Sequence, residues 1–168
     1  MPTHSTSHSA SQGQGGQALP KTERTANLLP LGTWQIEALR KLTREKPLLV
    51  TDDDVLSRKF YRALLADTYG LGLTETGDPG EALRICQRQP VSLVITCIIK
   101  PARADGIKLV TDLRASPHLR TLPLLVITAS QHTRDLALEA GADGYLSKPC
   151  HPNEILQEIW RLLRSRAI

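Results

Sequence analysis

This chain of 168 residues is short of aromatic side chains, which make up 4% of it, although a hydrophobic fraction of 40% is still enough to bury a core. It holds three cysteines, Cys86, Cys97 and Cys150, widely spaced and without a CxxC pair. An odd set at such spacing excludes a disulfide framework and a cysteine-based zinc site, and it suits a reducing, cytoplasmic setting. No run of about 18 apolar residues occurs, so no membrane span is expected. The N-terminus has no compact apolar stretch behind a basic start, which excludes a secretory signal. A strong charge of one sign is lacking too. Lys plus Arg is 21 against 17 for Asp plus Glu, a net +4, too mild to imply nucleic acid without a basic stripe. One absence is local: residues 79–104 contain no aspartate at all.

The length suits one domain of ordinary size with some extra sequence. Residues 1–27 are Ser, Gly, Gln, Thr and His with few large apolar side chains, so they are expected to form a disordered tail that cannot offset the entropy of ordering. His4 and His8 in such a tail are incidental rather than a metal site. Residues 28–46 read as an N-terminal extension with a helix over 33–46. Thr33 is its expected N-cap, Trp34, Ala38 and Leu42 share one face with Leu39 beside them, and Pro47 ends it. This helix either packs on the following domain or presents a contact surface to a partner or a second copy.

From residue 47 to 168, apolar runs alternate with amphipathic segments. Strands are expected at 48–51, 70–77, 91–97, 122–129 and 143–147. Helices are expected at 54–69, with Phe60, Tyr61, Leu64 and Leu65 at helical spacing, and at 78–89, where Asp78 caps and Pro79 takes the first turn. Further helices follow at 106–115, 131–140, closed by Gly141, and 152–166. Near-continuous Val/Ile/Leu strands joined by helices mean an α/β fold, a doubly wound five-stranded parallel sheet covered on both faces. In such sheets a site lies at the carboxyl ends of the strands. The first strand delivers Asp52 and Asp53 there, the third Cys97, the fourth Thr128, and the fifth leads to Lys148. Adjacent carboxylates need a cation to stay ionised together. A hard divalent cation takes carboxylate and phosphate oxygens, and a hydroxyl and an ammonium suit phosphoryl oxygens. The set therefore looks built around a phosphoryl group and a hard cation, although Asp52–Asp54 could instead cap a helix and Thr128 could bond its own backbone.

The segments "LLVTDDD", "TGDPGEAL", "LLVITA", "AGADGYLSKP" and "EILQEIWRLL", in this order, resemble the receiver domain of two-component response regulators. The resemblance covers roughly residues 47–164. It implies a flavodoxin-like (βα)5 fold with strand order 2-1-3-4-5, and phosphorylation of an aspartate by a partner histidine kinase. It further implies that Asp52 and Asp53 are the magnesium-binding acidic pair and that Thr128 contacts the phosphoryl group. Lys148 matches the lysine of the "KP" motif and Tyr145 the aromatic switch position, with Thr128 and Tyr145 acting as a coupled two-state element.

The departure falls in "VSLVITCIIKPARADG", residues 91–106. Aligned on Pro101, Cys97 stands at the phosphoacceptor position, and Asp105 matches the family's loop aspartate rather than the acceptor. A thiol cannot form an acyl phosphate. Magnesium prefers oxygen to sulfur, so its site, reduced to Asp53, Asp52 and the Ile99 carbonyl, is expected to be weak or absent, and no cofactor is expected. Lys148 is left to neutralise the two aspartates. Cys97 itself reads three ways: a small buried residue, a redox or covalent sensor, or the nucleophile of a C-x5-R phosphatase with Arg103. The last is opposed by a loop without glycine, by Pro101, which lacks an N–H, and by the nearby aspartates. Cys150 reads as packing. Arg161, Arg164 and Arg166 read as a solvated helix face rather than a nucleic-acid contact. The expectation is a stand-alone, non-enzymatic pseudo-receiver that acts through a signalling protein such as a histidine kinase or another regulator. No nucleic acid or membrane is expected as a partner, and homodimerisation is left open.

Overall fold

The computed structural model describes residues 29–97, 105–129 and 133–166. The expectations for the tail at 1–27, for the Ile99 carbonyl and for Arg103 lie outside the described residues. The chain order is α1 (Thr33–Glu45), β1 (Leu48–Thr51), α2 (Val55–Tyr61), a π-helical continuation (Arg62–Thr68), β2 (Leu73–Thr76), α3 (Pro79–Arg88), β3 (Leu93–Thr96), α4 (Asp105–Ala115), β4 (Leu124–Thr128), α5 (Thr133–Glu139), β5 (Gly144–Ser147) and α6 (Pro152–Leu163), with a last 3-10 turn at Arg164–Arg166. The five strands are parallel and ordered β2-β1-β3-β4-β5.

The strands are short and aliphatic, and their side chains alternate between the two faces. Leu48, Val50, Leu93, Ile95, Leu125 and Ile127 point to one side, where Leu39, Leu65, Ile155 and Ile159 cover them. Leu49, Val94, Leu124 and Val126 point to the other, against Ala82, Val110, Leu113 and Ala137. Each fully buried Leu or Ile contributes about 1.5–3 kcal/mol of transfer free energy, so two aliphatic layers replace the missing aromatics.

Helix α1 belongs to the first layer, but by a different face from the one its spacing suggested. Ile36, Leu39 and Thr43 are buried, while Trp34 is 67% exposed. Its N-cap is Gly32, not Thr33, because the Gln35 side chain accepts the Gly32 N–H at 2.8 Å and draws residue 33 into the first turn. The helix is seated at Gly72, whose N–H donates to Thr43 Oγ1 at 2.9 Å. A Cβ on Gly72 would run into the Thr43 carbonyl, so only glycine lets α1 sit this close. Arg40 Nε donates to the Tyr69 carbonyl at 2.7 Å, and Trp34 meets Trp160 of α6 edge to face, with centroids 5.2 Å apart. The Gln157 side chain bonds the Leu29 carbonyl.

The single helix expected over 54–69 is α-helical only as far as Tyr61 and continues with a wider π turn, where the Thr68 hydroxyl donates to the carbonyl of Ala63, five residues back. Phe60 is not core: it is exposed, while Tyr61, Leu64 and Leu65 are buried. At the amino-terminal edge of the sheet, Arg114 donates to the carbonyls of Gly141 and Leu122 at 2.8 Å each and pairs with Asp143 at 2.7 Å. The same Asp143 oxygen accepts the Leu124 N–H. Gly141 closes α5 with a φ of 106°, a conformation glycine adopts without strain.

Candidate functional site

The carboxyl edge of the sheet brings three of the expected residues, Asp52, Cys97 and Lys148, into one place. Asp52 follows β1, its backbone N–H bonding the Thr76 carbonyl. Cys97 follows β3, its N–H donating to the Thr51 carbonyl at 3.1 Å. Lys148 follows β5, its N–H donating to the Thr128 carbonyl at 2.8 Å, and the Lys148–Pro149 peptide is cis. These ladder bonds fix where each side chain starts. Asp53 also lies at this edge, but it is exposed to solvent.

The ammonium of Lys148 is the hub. It donates to Asp52 Oδ2 at 2.9 Å and to Ser57 Oγ at 3.1 Å, lies 5.9 Å from the centre of the Tyr61 ring, and is within hydrogen-bonding reach of Cys97. Ser57 passes the polarity on, its hydroxyl donating to Asp54 Oδ2 at 2.8 Å. Asp54 caps α2, accepting the N–H groups of Leu56 and Ser57, so the capping alternative holds for this third aspartate. The other oxygen of Asp52 accepts the Asp54 N–H at 3.0 Å, and Arg58 donates to the Asp52 carbonyl at 2.6 Å. Asp52 is thus buried with both carboxylate oxygens engaged. Of the two acids Lys148 was expected to neutralise, Asp52 is its ion-pair partner, and Asp53 is not.

These contacts set the proton affinities. Burial raises the Cys97 thiol to about 11; the Asp52 charge adds to the rise and Lys148 opposes it. Burial alone would pull Lys148 down, yet the bond to Asp52 and the charges beside it leave its ammonium above the ordinary lysine range. Hydrogen bonds from Ser57 hold Asp54 below the usual carboxylate range. Burial pushes the Tyr61 phenol far up and the Cys150 thiol upward. At neutral pH the pocket therefore holds the protonated Cys97 thiol, the Lys148 ammonium and the Asp54 carboxylate.

Thr128 and Tyr145 are carried by the strands β4 and β5. Thr128 is buried at the end of β4, following the alternation of Leu124 and Val126, and Tyr145 packs against the same second cluster. Burial raises the Tyr145 phenol. Cys150 is half-buried against the first cluster. Sequence reading missed Ser57 and Tyr61 as site residues. The signal for Ser57 was its place three residues after Asp54, the spacing of a helix cap. An open cavity of about 510 Å³ adjoins the hub, lined by Leu56, Ser57, Phe60, Lys148, Pro149 and Cys150 among others. Among the described residues, no cluster of three or more His, Cys, Asp or Glu side chains is arranged to hold a metal ion. No helix there is long and apolar enough to cross a membrane.

Residues 48–160 match the family described as "Response regulator receiver domain". The chain is 35% identical over 119 residues to the protein PetR of Rhodobacter capsulatus, covering 70% of this chain and 48% of PetR. It is 33% identical over 112 residues to an uncharacterized 14.6 kDa protein of Leptolyngbya boryana, covering 66% of this chain and 84% of that one. The chain thus spans about half of the first relative and most of the second. Among solved structures, it superposes on the receiver domain of the sensor histidine kinase PA1611 of Pseudomonas aeruginosa with a TM-score of 0.64 at 25% identity, covering 71% of this chain and 98% of that one. That structure has a magnesium ion coordinated in its active-site cleft.

Proposed function

The chain belongs to the response regulator receiver domain family, and from that membership we propose that it is a pseudo-receiver, one that works in two-component signalling through protein contacts without aspartyl phosphorylation. One observation carries the reading. Where β3 delivers its side chain to the site there is a thiol, and the ammonium that would meet a phosphoryl group is bonded to Asp52 instead.

The chemistry of the donors supports it. A protonated thiol offers neither a carboxylate to phosphorylate nor an oxygen to a metal. Asp52, one of the two acids the family resemblance assigns to magnesium, is committed to Lys148 and to the Asp54 amide. This donor set does not fit a tightly held magnesium ion, so no step runs through one. The raised thiol also argues against Cys97 as a reactive sensor, since the thiolate is the nucleophile. Signalling output then rests on surfaces. Exposed Leu56 and Phe60 at the cavity beside Lys148 are one place where a kinase or another regulator can dock.

The test is incubation of the full chain with acetyl phosphate and magnesium, followed by intact-mass measurement under conditions that preserve acyl phosphates. The wild-type protein is expected to gain no phosphate, and Cys97→Asp to gain one and to bind magnesium more tightly. Phosphate on a wild-type aspartate sinks the proposal.

A further inference from the structure

Helix α1 carries a second stripe, opposite the one that packs. Ile36, Leu39 and Thr43 face the core, while Trp34, Glu37, Ala38, Lys41 and Arg44 border an open groove of about 540 Å³ on the outer side. At 100° per residue the five outer positions fall within about a third of the helix circumference. The stripe is unusual in its charges. Lys41 and Arg44 have no ion-pair partner among the described residues, and Glu37 holds Arg40 through an exposed 3.3 Å contact. Exposed pairs of that kind hold little energy and exchange readily. Trp34 is 67% exposed, yet its ring is fixed by the edge-to-face contact with Trp160, with an interplanar angle of 88°.

We infer that this stripe docks against the same stripe of a second copy, with the two α1 helices antiparallel about a two-fold axis near residue 39. The order of side chains is self-complementary about that point. Glu37 and Lys41 lie equally far on either side of it, about 3 Å along the axis, and Trp34 and Arg44 about 7.5 Å. Turned over on itself, the stripe places each Glu37 against Lys41 of the second copy and each Trp34 against Arg44 of the second copy. The first is an ion pair and the second a cation–π contact, and the symmetry makes each of them twice. Ala38, beside the axis, is small enough for two helices to approach to about 8 Å. A three-turn helix pair buries less than the roughly 1,200 Å² of a standard interface, so the dimer is weak and forms as concentration rises. This inference is independent of the pocket chemistry, because α1 precedes the segment that matches the family.

The test is sedimentation velocity on the full chain from low micromolar to millimolar concentration, with circular dichroism to confirm that each variant folds. Wild type is expected to dimerise in this range. Lys41→Glu sets two like-charged pairs across the axis and raises the dissociation constant about tenfold or more. The double variant Glu37→Lys/Lys41→Glu reverses both partners and restores wild-type dimerisation, and Trp34→Ala weakens it. A wild-type monomer at every concentration overturns the inference, and so does a dimer indifferent to Lys41→Glu. A double variant as weak as the single one also overturns it. The first of these outcomes would hand the stripe to a different partner protein, the second would place the dimer on another surface.

Discussion

Lys148 Nζ lies 2.9 Å from Asp52 Oδ2, and the two residues are 96 positions apart in the chain. The carboxylate side chain is 1% exposed and the lysine 27%. Such a pair is held in place by what its loss would leave behind. Lys148→Met strands a buried carboxylate and is expected to cost about 3 kcal/mol in urea unfolding. Adding Asp52→Asn should recover a large part of that cost. If the double variant is as unstable as the sum of the single ones, the pair is not coupled.

Cys97 should be slow to react. A thiol raised from 9.0 to about 11 has roughly a hundredth of the ordinary thiolate fraction at pH 8, and alkylation by iodoacetamide is expected to slow in proportion. Peptide mapping after timed labelling reads this directly. Labelling as fast as that of a free model thiol would contradict the assigned environment.

The same shift sets an alkaline limit. The folded thiol titrates higher than the unfolded one, so the unfolded chain loses its proton first. Its contribution to stability is complete below pH 9 and is lost as pH rises towards 11. Lys148 acts with the same sign, because its raised pKa favours the folded state until pH climbs past the ordinary lysine value of 10.5. Denaturant midpoints measured across this range are expected to fall, and to fall less in Cys97→Ala.

Gly72→Ala tests the seat of α1. The added methyl meets the Thr43 backbone, which has no side-chain freedom to yield, and a cost of about 1–3 kcal/mol is expected. Hydrogen exchange should quicken in α1 before the sheet. An unchanged melting temperature would show that α1 is not seated as described.

Arg114→Ala removes one guanidinium from the carbonyls of Arg120, Leu122 and Gly141 and from Asp143. Its loss is expected to cost about 2 kcal/mol, because the Gly141 and Leu122 carbonyls lose a charged donor. Arg114→Lys should recover little of this, since an ammonium cannot reproduce the fork of the guanidinium.

Much of the fold was legible because it depends on local pattern. The aliphatic runs at 48–51 and 124–128 and the Asp78–Pro79 cap say strand or helix without help from distant residues. The third strand, Leu93–Thr96, is likewise plain from its own composition, with Cys97 just after it. Less legible was which side of α1 would be buried. Trp34, Ala38 and Leu42 make as good a stripe on paper as Ile36, Leu39 and Thr43, and the choice turns on Gly72 and the carbonyl of Tyr69, some thirty residues on. The change of helical pitch after Tyr61 had no signal in composition either.

The site divides in the same way. The order of residues along the chain was enough to place Asp52, Cys97, Thr128 and Lys148 at one edge, because parallel strands deliver their carboxyl ends together. It was enough, too, to establish that no aspartate lies between residues 79 and 104. What only the tertiary structure decided is which of the two acids the lysine takes, and that Ser57 shares it. A long, flexible ammonium takes the strongest acceptors within reach, and here they are the buried carboxylate of Asp52 and the Ser57 hydroxyl, brought together by the crossing of β1, α2 and β5. Pairings among side chains so distant in sequence follow from the packed geometry of the sheet and its helices.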